Sequence, residues 1–121
     1  MITLDEYVQF ERRFLSGYAS ADLKEAEQAL LNHRSELGRL HKDGVKWLNY
    51  EIAMGITDAR ISVFYDQIGR ASEAEDYRAT AITSLTAAAV KDGKAPMAYT
   101  KTDIERLVQQ ADAKLKIGWR K

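Results

Sequence analysis

Apolar residues recur at helical spacing along most of the chain, and one stretch is apolar on almost every side. In residues 45–69, VKWLNYEIAMGITDARISVFYDQIG, the first apolar stripe holds Leu48, Ile52, Ile56, Ala59 and Val63. The second stripe holds Trp47, Tyr50, Met54, Ile61, Tyr65 and Ile68. Because a helix that is apolar nearly all round must be covered from several sides, we expect residues 45–68 to be the central helix of a small all-α domain.

Four segments begin with a residue that can cap a helix and carry glutamate three positions later. The pairs are Thr3 and Glu6, Asp22 and Glu25, Ser72 and Glu75, and Thr102 and Glu105. In such a pair the cap oxygen accepts a hydrogen bond from an amide of the first turn, and the glutamate accepts one from the amide of the cap residue. Each pair therefore predicts the start of a helix.

Glycine follows four of the periodic stretches, at Gly17, Gly44, Gly69 and Gly93. Because a residue in the left-handed conformation commonly follows the last turn of a helix, each glycine predicts a helix end. The start and stop signals together predict five helices, at about residues 4–16, 23–42, 45–68, 73–91 and 103–116. No segment alternates apolar and polar residues as a half-buried strand does, so no sheet is expected.

We expect these helices to form one domain, residues 1–121, of antiparallel helix pairs around the central helix. Pro96 prevents the fourth helix from resuming, so residues 92–101 are predicted to be a loop and residues 117–121 a short C-terminal tail. Gly55, Ala59 and Ser62 form a run of small residues along the central helix. Such a run permits close approach of another helix, and the alternative is space for a ligand.

The composition removes several classes of function. The 121 residues carry 18 basic and 18 acidic side chains, so no net charge favours nucleic acid or an anionic lipid surface. The absence of cysteine excludes disulfides, thiolate metal sites and cysteine nucleophiles. No apolar run reaches the roughly 20 residues that a membrane span needs. We expect a chain that binds no nucleic acid and resides in the cytoplasm by default, or in the periplasm if a leader has been removed.

Residues 55–88 carry the sequence pattern of a helix-turn-helix unit. Gly69 stands at the turn, Glu73 and Ala74 open the second half, Tyr77 is the aromatic position and Ala81 the later small one. The stretch resembles a tetratricopeptide repeat, a unit of about 34 residues. It departs from that pattern at Asp58, where tryptophan is commonest, and at Ser62, which replaces a glycine. A related pattern begins at Glu25 and Ala26, 48 residues before Glu73 and Ala74. This spacing is longer than the repeat length of about 34 residues, so the two are not consecutive regular repeats.

The resemblance implies tetratricopeptide-like pairing of helices and a non-enzymatic surface that binds a protein or a peptide. We expect the concave side to be built mainly from the first and third predicted helices. Its exposed contacts would be Val8, Glu11, Val63, Asp66 and Gln67. Two further candidates for partner binding are Tyr99, in the predicted loop, and Trp119, which lies among basic residues of the tail.

Two pairs of residues suggest chemistry, and each has a plainer interpretation. His33 and His41 lie eight positions apart on one predicted helix, about 12 Å along its axis, which is too far for both to bind one metal ion. Glu51 and Asp58 suit general acid–base catalysis as a pair of carboxylates, yet a partner from a neighbouring helix explains each of them better. No phosphate loop or nucleophile elbow occurs, so we expect no catalytic residue, metal or cofactor.

The leading hypothesis is therefore a small bacterial protein-interaction module that is not an enzyme. The first alternative is an inhibitor or immunity-type protein, which would block a partner enzyme with the loop at Lys91–Lys101 or with the Trp119 tail. The second alternative is a small-ligand binder with a pocket near Glu51 and Asp58. A solenoid-like fold has an uncapped apolar end that a second copy of the chain could cover, so a homodimer is possible.

Overall fold

The computed structural model describes residues 2–120 and contains five α-helices in this range. They are α1 (Leu4–Tyr18), α2 (Leu23–Lys42), α3 (Tyr50–Gln67), α4 (Ala71–Lys91) and α5 (Lys101–Ala111). The same range contains no β-strand, so the predicted all-α class is confirmed. None of the described helices is long and apolar enough to cross a bilayer. Met1 and Lys121, the end residues of the predicted domain and tail, lie outside this range.

Two of the four predicted helix starts are confirmed. Thr3 accepts from the Glu6 amide while the Glu6 side chain accepts from the amide of Thr3, a complete capping box for α1. Asp22 accepts from the amides of Lys24 and Glu25 at the start of α2. Both caps depend only on residues within three positions, which is why the sequence alone identifies them.

The other two predicted starts are wrong by two residues. Thr100, not Thr102, caps α5, because Asp103 at the third helical position completes a capping box earlier in the chain. Arg70 precedes α4, so Ser72 lies inside its first turn. Arg70 makes no side-chain cap bond; its Nε donates to Glu73 Oε1 at 2.6 Å and its guanidinium lies 4.5 Å from the centre of the Tyr65 ring.

The central helix also starts later than predicted, at Tyr50. The side chain of Asn49 accepts from the Ile52 amide and caps α3, which leaves the buried Val45 outside the helix. Three predicted stops are confirmed by left-handed φ angles of 78°, 83° and 73° at Gly44, Gly69 and Gly93.

The predicted stop at Gly17 is wrong, because α1 continues to Tyr18. A Cβ built on Gly17 would lie 2.7 Å from the Cβ of Ala29 in α2. Glycine therefore serves close helix packing at this position and does not end the helix.

The chain folds into two compact units. The first joins the residues up to Leu48 with those from Leu115 onward, and the second is Asn49–Lys114. In the first unit α1 packs on α2 around fully buried side chains that include Leu30, Leu37 and Leu40. Residues of the predicted tail complete this unit, because the Gly118 amide donates to the Ala19 carbonyl at 3.0 Å.

In the second unit α3 packs against both α4 and α5, as expected of a central helix. Ten of its 18 residues are buried. The α3–α4 pair is antiparallel, since Glu51 meets Lys91 at one end and Asp66 meets Arg78 at the other. The core formed with α5 contains Ala59, Val63, Ala81, Leu85, Ile104 and Val108.

The small residues of α3 allow α4 to pack closely against it. A Cβ built on Gly55 would lie 2.8 Å from Cδ2 and 2.9 Å from Cγ of Leu85. The space beside Gly55 is thus filled by a side chain of α4, as the helix-packing interpretation predicts.

Candidate functional site

The helical repeat of α1 places four aromatic rings along the side that faces α2. They belong to Tyr7, Phe10, Phe14 and Tyr18, spaced three or four residues apart. His33 of α2 enters this row and stacks on two of them, with centroid distances of 4.7 Å to Phe10 and 4.0 Å to Phe14. We call these five rings, with Trp47 on Tyr7 and Trp119 on Tyr18, the aromatic column.

His33 is therefore a packed core histidine, stacked between two phenylalanine rings. Only 4% of its surface is exposed. Its Nε2 lies 3.6 Å from the Oε1 atom of Glu11. Within residues 2–120, no three histidine, aspartate or glutamate side chains converge as metal ligands.

Glu11 is held in place from both sides. The Tyr7 hydroxyl donates to its Oε1 atom at 2.6 Å, the same oxygen that faces His33. Burial, followed by the hydrogen bond to Glu11, raises the pKa of Tyr7 well above its usual value. The predicted partner-binding residue Glu11 therefore has a carboxylate that the Tyr7 hydroxyl holds in place. One third of the Glu11 side chain is exposed.

Next to Glu11, α1 exposes apolar side chains to solvent. Leu4 is 62% exposed and Val8 40%, one turn apart on the same side of the helix. Trp47 is 46% exposed and meets Tyr7 edge-on at 5.1 Å. We call Leu4, Val8, Glu11 and Trp47 the α1 stripe.

The sequence identified half of this stripe. Val8 was predicted as an exposed contact, and it is exposed. Leu4 and Trp47 are not among the predicted contacts, because the apolar pattern placed Trp47 in the central helix and made no prediction for the exposure of Leu4. The signal for Leu4 was its position in the first turn, where the end of a helix is open to solvent.

The predicted contacts in the second unit are mostly engaged within it. The prediction that Val63 is an exposed contact is wrong, because Val63 is 9% exposed and packs in the core with α4 and α5. Asp66 accepts from Arg78 at 3.1 Å and lies 3.8 Å from the Lys101 ammonium. Gln67 is exposed at the last position of α3. Tyr99 is half-buried and packs against the core, so the loop does not present its ring freely.

Trp119 is folded back onto the first unit. Its indole Nε1 donates to the Tyr18 carbonyl at 2.7 Å, and its ring meets Tyr18 edge-on at 5.8 Å. The Arg120 guanidinium lies 5.1 Å from the indole centre. Because the indole N–H is already satisfied and the ring is half-buried, Trp119 serves the interior of this unit.

The carboxylates considered for catalysis are engaged across the α3–α4 pair. Glu51 forms an ion pair with Lys91 of α4. Asp58 is 1% exposed, and the Thr80 hydroxyl donates to it at 3.1 Å. A further carboxylate, that of the buried Asp112, accepts from Nε of Arg60 at 2.9 Å. All three have partners that tie helices together, so their placement is explained by structure.

A pocket of about 460 Å³ opens between α1 and α2 in the first unit. Its apolar lining comes from Phe10, Phe14 and His33 of the aromatic column, and its charged groups are Arg13 and Glu36. The pocket could not be predicted from the sequence, because its shape depends on the gap between two helices and not on the apolar pattern of either.

Comparison with known proteins finds no matching family model, no matching curated protein and no matching solved structure. The α1 stripe and the pocket are therefore the features of the molecule from which a function can be inferred.

Proposed function

We propose that this chain is a small bacterial interaction module that binds a protein or peptide partner through the α1 stripe and catalyses no reaction. The observation that carries the proposal is the exposure of Leu4, Val8 and Trp47, at 62%, 40% and 46%. Leu4 and Val8 lie one turn apart on α1, and Trp47 packs on Tyr7 of the same helix. Exposed apolar groups that adjoin one another, with polar residues at the rim, are typical of interaction sites. A tryptophan among them is a common source of binding energy.

The occupant that fits best is the apolar face of an amphipathic helix from the partner. Leu4 and Val8 follow helical spacing and would pack against residues of like spacing on the partner. Glu11 lies one turn beyond Val8 and is held by Tyr7, so it would accept from a lysine or arginine of the same partner helix. Pairing a fixed carboxylate with a basic residue adds specificity to apolar packing.

The resemblance to a tetratricopeptide repeat adds a reason from the sequence, because such repeats generally bind proteins or peptides. That resemblance remains a prediction, and so does tetratricopeptide-like pairing as a family feature. The proposal for the α1 stripe does not need it.

A displayed library of amphipathic helical peptides tests the proposal. Peptides selected on the wild-type chain would be measured by fluorescence anisotropy against Val8→Asp and against the matched control Val90→Asp. Val90 is 57% exposed on α4 and is not part of the stripe, so the control places the same charge on another exposed apolar residue. We expect binding to be lost with Val8→Asp and retained with Val90→Asp. Equal binding to both variants, or no selected peptide, would overturn the proposal.

A second candidate, an inhibitor or immunity-type protein, is favoured by one observation in the second unit. Met97 is 53% exposed in the irregular segment between α4 and α5. A projecting loop of this kind suits insertion into the active site of an enzyme. If Met97→Asp abolishes partner binding and Val8→Asp leaves it intact, this candidate replaces the first. The tail version has less support, because Trp119 is engaged by Tyr18.

A further inference from the structure

We propose that the pocket between α1 and α2 binds a small organic monocarboxylate that carries one aromatic ring. This site is separate from the α1 stripe and does not rest on the proposed protein partner. Val8 and Arg13 are five positions apart, so at 3.6 residues per turn they point in directions roughly 140° apart around α1. A molecule in the pocket would therefore occupy another side of the helix.

Arg13 supplies the recognition of the anion. Its side chain lines the pocket, and no carboxylate among residues 2–120 forms an ion pair with it. Four other guanidinium groups do pair with carboxylates, those of Arg39, Arg60, Arg70 and Arg78. An arginine without such a partner can offer both arms of its planar fork to a ligand carboxylate, which is the geometry that this side chain binds best.

Polar side chains of α2 can support the same carboxylate. Asn32 and Ser35 line the pocket together with Arg13. The Oδ1 atom of Asn32 accepts from Gln28 at 2.8 Å, so its amide nitrogen is the group that can donate to a ligand. The pocket thus combines a cation with an amide donor and a hydroxyl.

The aromatic column supplies the surface for a ring. Phe14 and His33 are each only 4% exposed, so their stacked rings are a buried support fixed by the packing of α1 on α2. Phe10 is partly exposed, stacks on His33 and lines the pocket, so its ring supplies the accessible aromatic surface. The volume of about 460 Å³ falls within the range of roughly 300–1,000 Å³ that small-molecule sites occupy. Aromatic rings pack favourably on such surfaces in edge-to-face or offset arrangements.

Glu36 restricts the ligand to a single negative charge. Its carboxylate lines the pocket and accepts from Arg39 Nη2 at 2.7 Å. That hydrogen bond lowers the pKa of Glu36, a carboxyl that is already ionised at neutral pH at its usual pKa. A second carboxylate on the ligand would face this charge, which disfavours dicarboxylates.

The test is a titration of the ¹⁵N-labelled chain followed by NMR. Phenylacetate is the probe, and three analogues each remove or add one feature: 2-phenylethanol lacks the charge, acetate lacks the ring and phenylsuccinate adds a carboxylate. We expect phenylacetate to bind most tightly and to shift amides of Phe10, Arg13 and Asn32. Shifts confined to other parts of the chain would overturn the site.

The matched variants are Arg13→Gln and Arg12→Gln, because Arg12 is the exposed neighbour that does not line the pocket. We expect Arg13→Gln to weaken phenylacetate binding about tenfold or more, with binding of 2-phenylethanol unchanged and Arg12→Gln like wild type. Equal losses in the two variants would refute recognition by Arg13. Glu36→Gln should selectively improve binding of phenylsuccinate, and no change would refute the charge restriction.

A peptide that ends in phenylalanine also carries one carboxylate and one aromatic ring. One further titration therefore distinguishes a free small molecule from a peptide C-terminus. Acetyl-Ala-Ala-Phe with a free carboxylate is compared with phenylacetate in the same titration. Tighter binding of phenylacetate supports a free small molecule. Tighter binding of the tripeptide would overturn that assignment in favour of a peptide C-terminus.

Discussion

Replacement of Gly55 by alanine measures how closely α4 packs on α3. In an exposed helix this change stabilises by about 1 kcal/mol, because alanine is the better helix former. Here the new Cβ would lie 2.8 Å from Cδ2 and 2.9 Å from Cγ of Leu85. Carbon atoms in contact prefer about 3.5–4.0 Å, so α3 and Leu85 must separate by roughly 0.6–1 Å.

Leu85 has little freedom to move, because it is 7% exposed and belongs to the core with α5. Overpacking of this kind costs about 1–3 kcal/mol. Set against the helix-propensity gain of about 1 kcal/mol, the expected net effect of Gly55→Ala is a destabilisation of about 1 kcal/mol, or twice that if the backbone must shift.

The assay is urea unfolding followed by circular dichroism at about 222 nm, with Gly38→Ala as the matched control. Gly38 lies inside α2, and a Cβ there would meet nothing within 4 Å. The control should therefore stabilise by about 0.5–1 kcal/mol. In a Leu85→Ala background the cost of Gly55→Ala should disappear, since the clashing atoms are gone. Stabilisation by Gly55→Ala in the wild-type background would refute the close packing.

The remaining predictions concern an ion pair, a cap and a titrating group. Asp112→Ala should lower the free energy of unfolding by about 3–5 kcal/mol, because it leaves the nearly buried Arg60 without this carboxylate. The double variant Arg60→Met/Asp112→Leu should unfold at a higher urea concentration than Asp112→Ala. Asp22→Ala should lower the free energy of unfolding by about 1 kcal/mol, because it removes the N-cap of α2. Ser72→Ala should change it by less than about 0.5 kcal/mol. Equal effects of the two substitutions would contradict the observed start of α4. Hydrogen bonds from Thr100 lower the pKa of Asp103 below its usual value. The stabilisation that ionised Asp103 contributes is therefore fully present above the unfolded-state pKa and is lost as pH falls through the folded-state pKa. The difference in urea midpoint between wild type and Asp103→Asn should shrink on acidification, and a constant difference would contradict this direction.

The fold class and two of the five helix starts could be predicted, because each depends on residues close together in the chain. Thr3 and Asp22 bond to amides within three positions, so their role is visible in the sequence. The same rule failed at Thr102, where Thr100 and Asp103 offered an equally good capping box two residues earlier. Local signals locate a helix end to within about a turn and do not choose between adjacent candidates.

The candidate site was less predictable, since it depends on contacts between distant segments. Val8 is exposed as predicted, but that prediction came from the resemblance to a tetratricopeptide repeat and not from the apolar pattern of the helix. Val63 lies on a helix that is apolar all round, so only the positions of α4 and α5 decide that it is buried. The stacking of His33 between two phenylalanines, and the pocket beside Arg13, require knowledge of how α1 and α2 pair.

The two ends of the aromatic column have a practical consequence for measuring cooperativity. The chain contains two tryptophans, and both Trp47 and Trp119 belong to the first unit, each against a tyrosine of α1. The second unit, Asn49–Lys114, has none, so indole emission reports the melting of one unit while the helical signal reports both. Coincident emission and helix transitions would show that the units unfold together, and a gap between them would give the stability of each unit without cutting the chain.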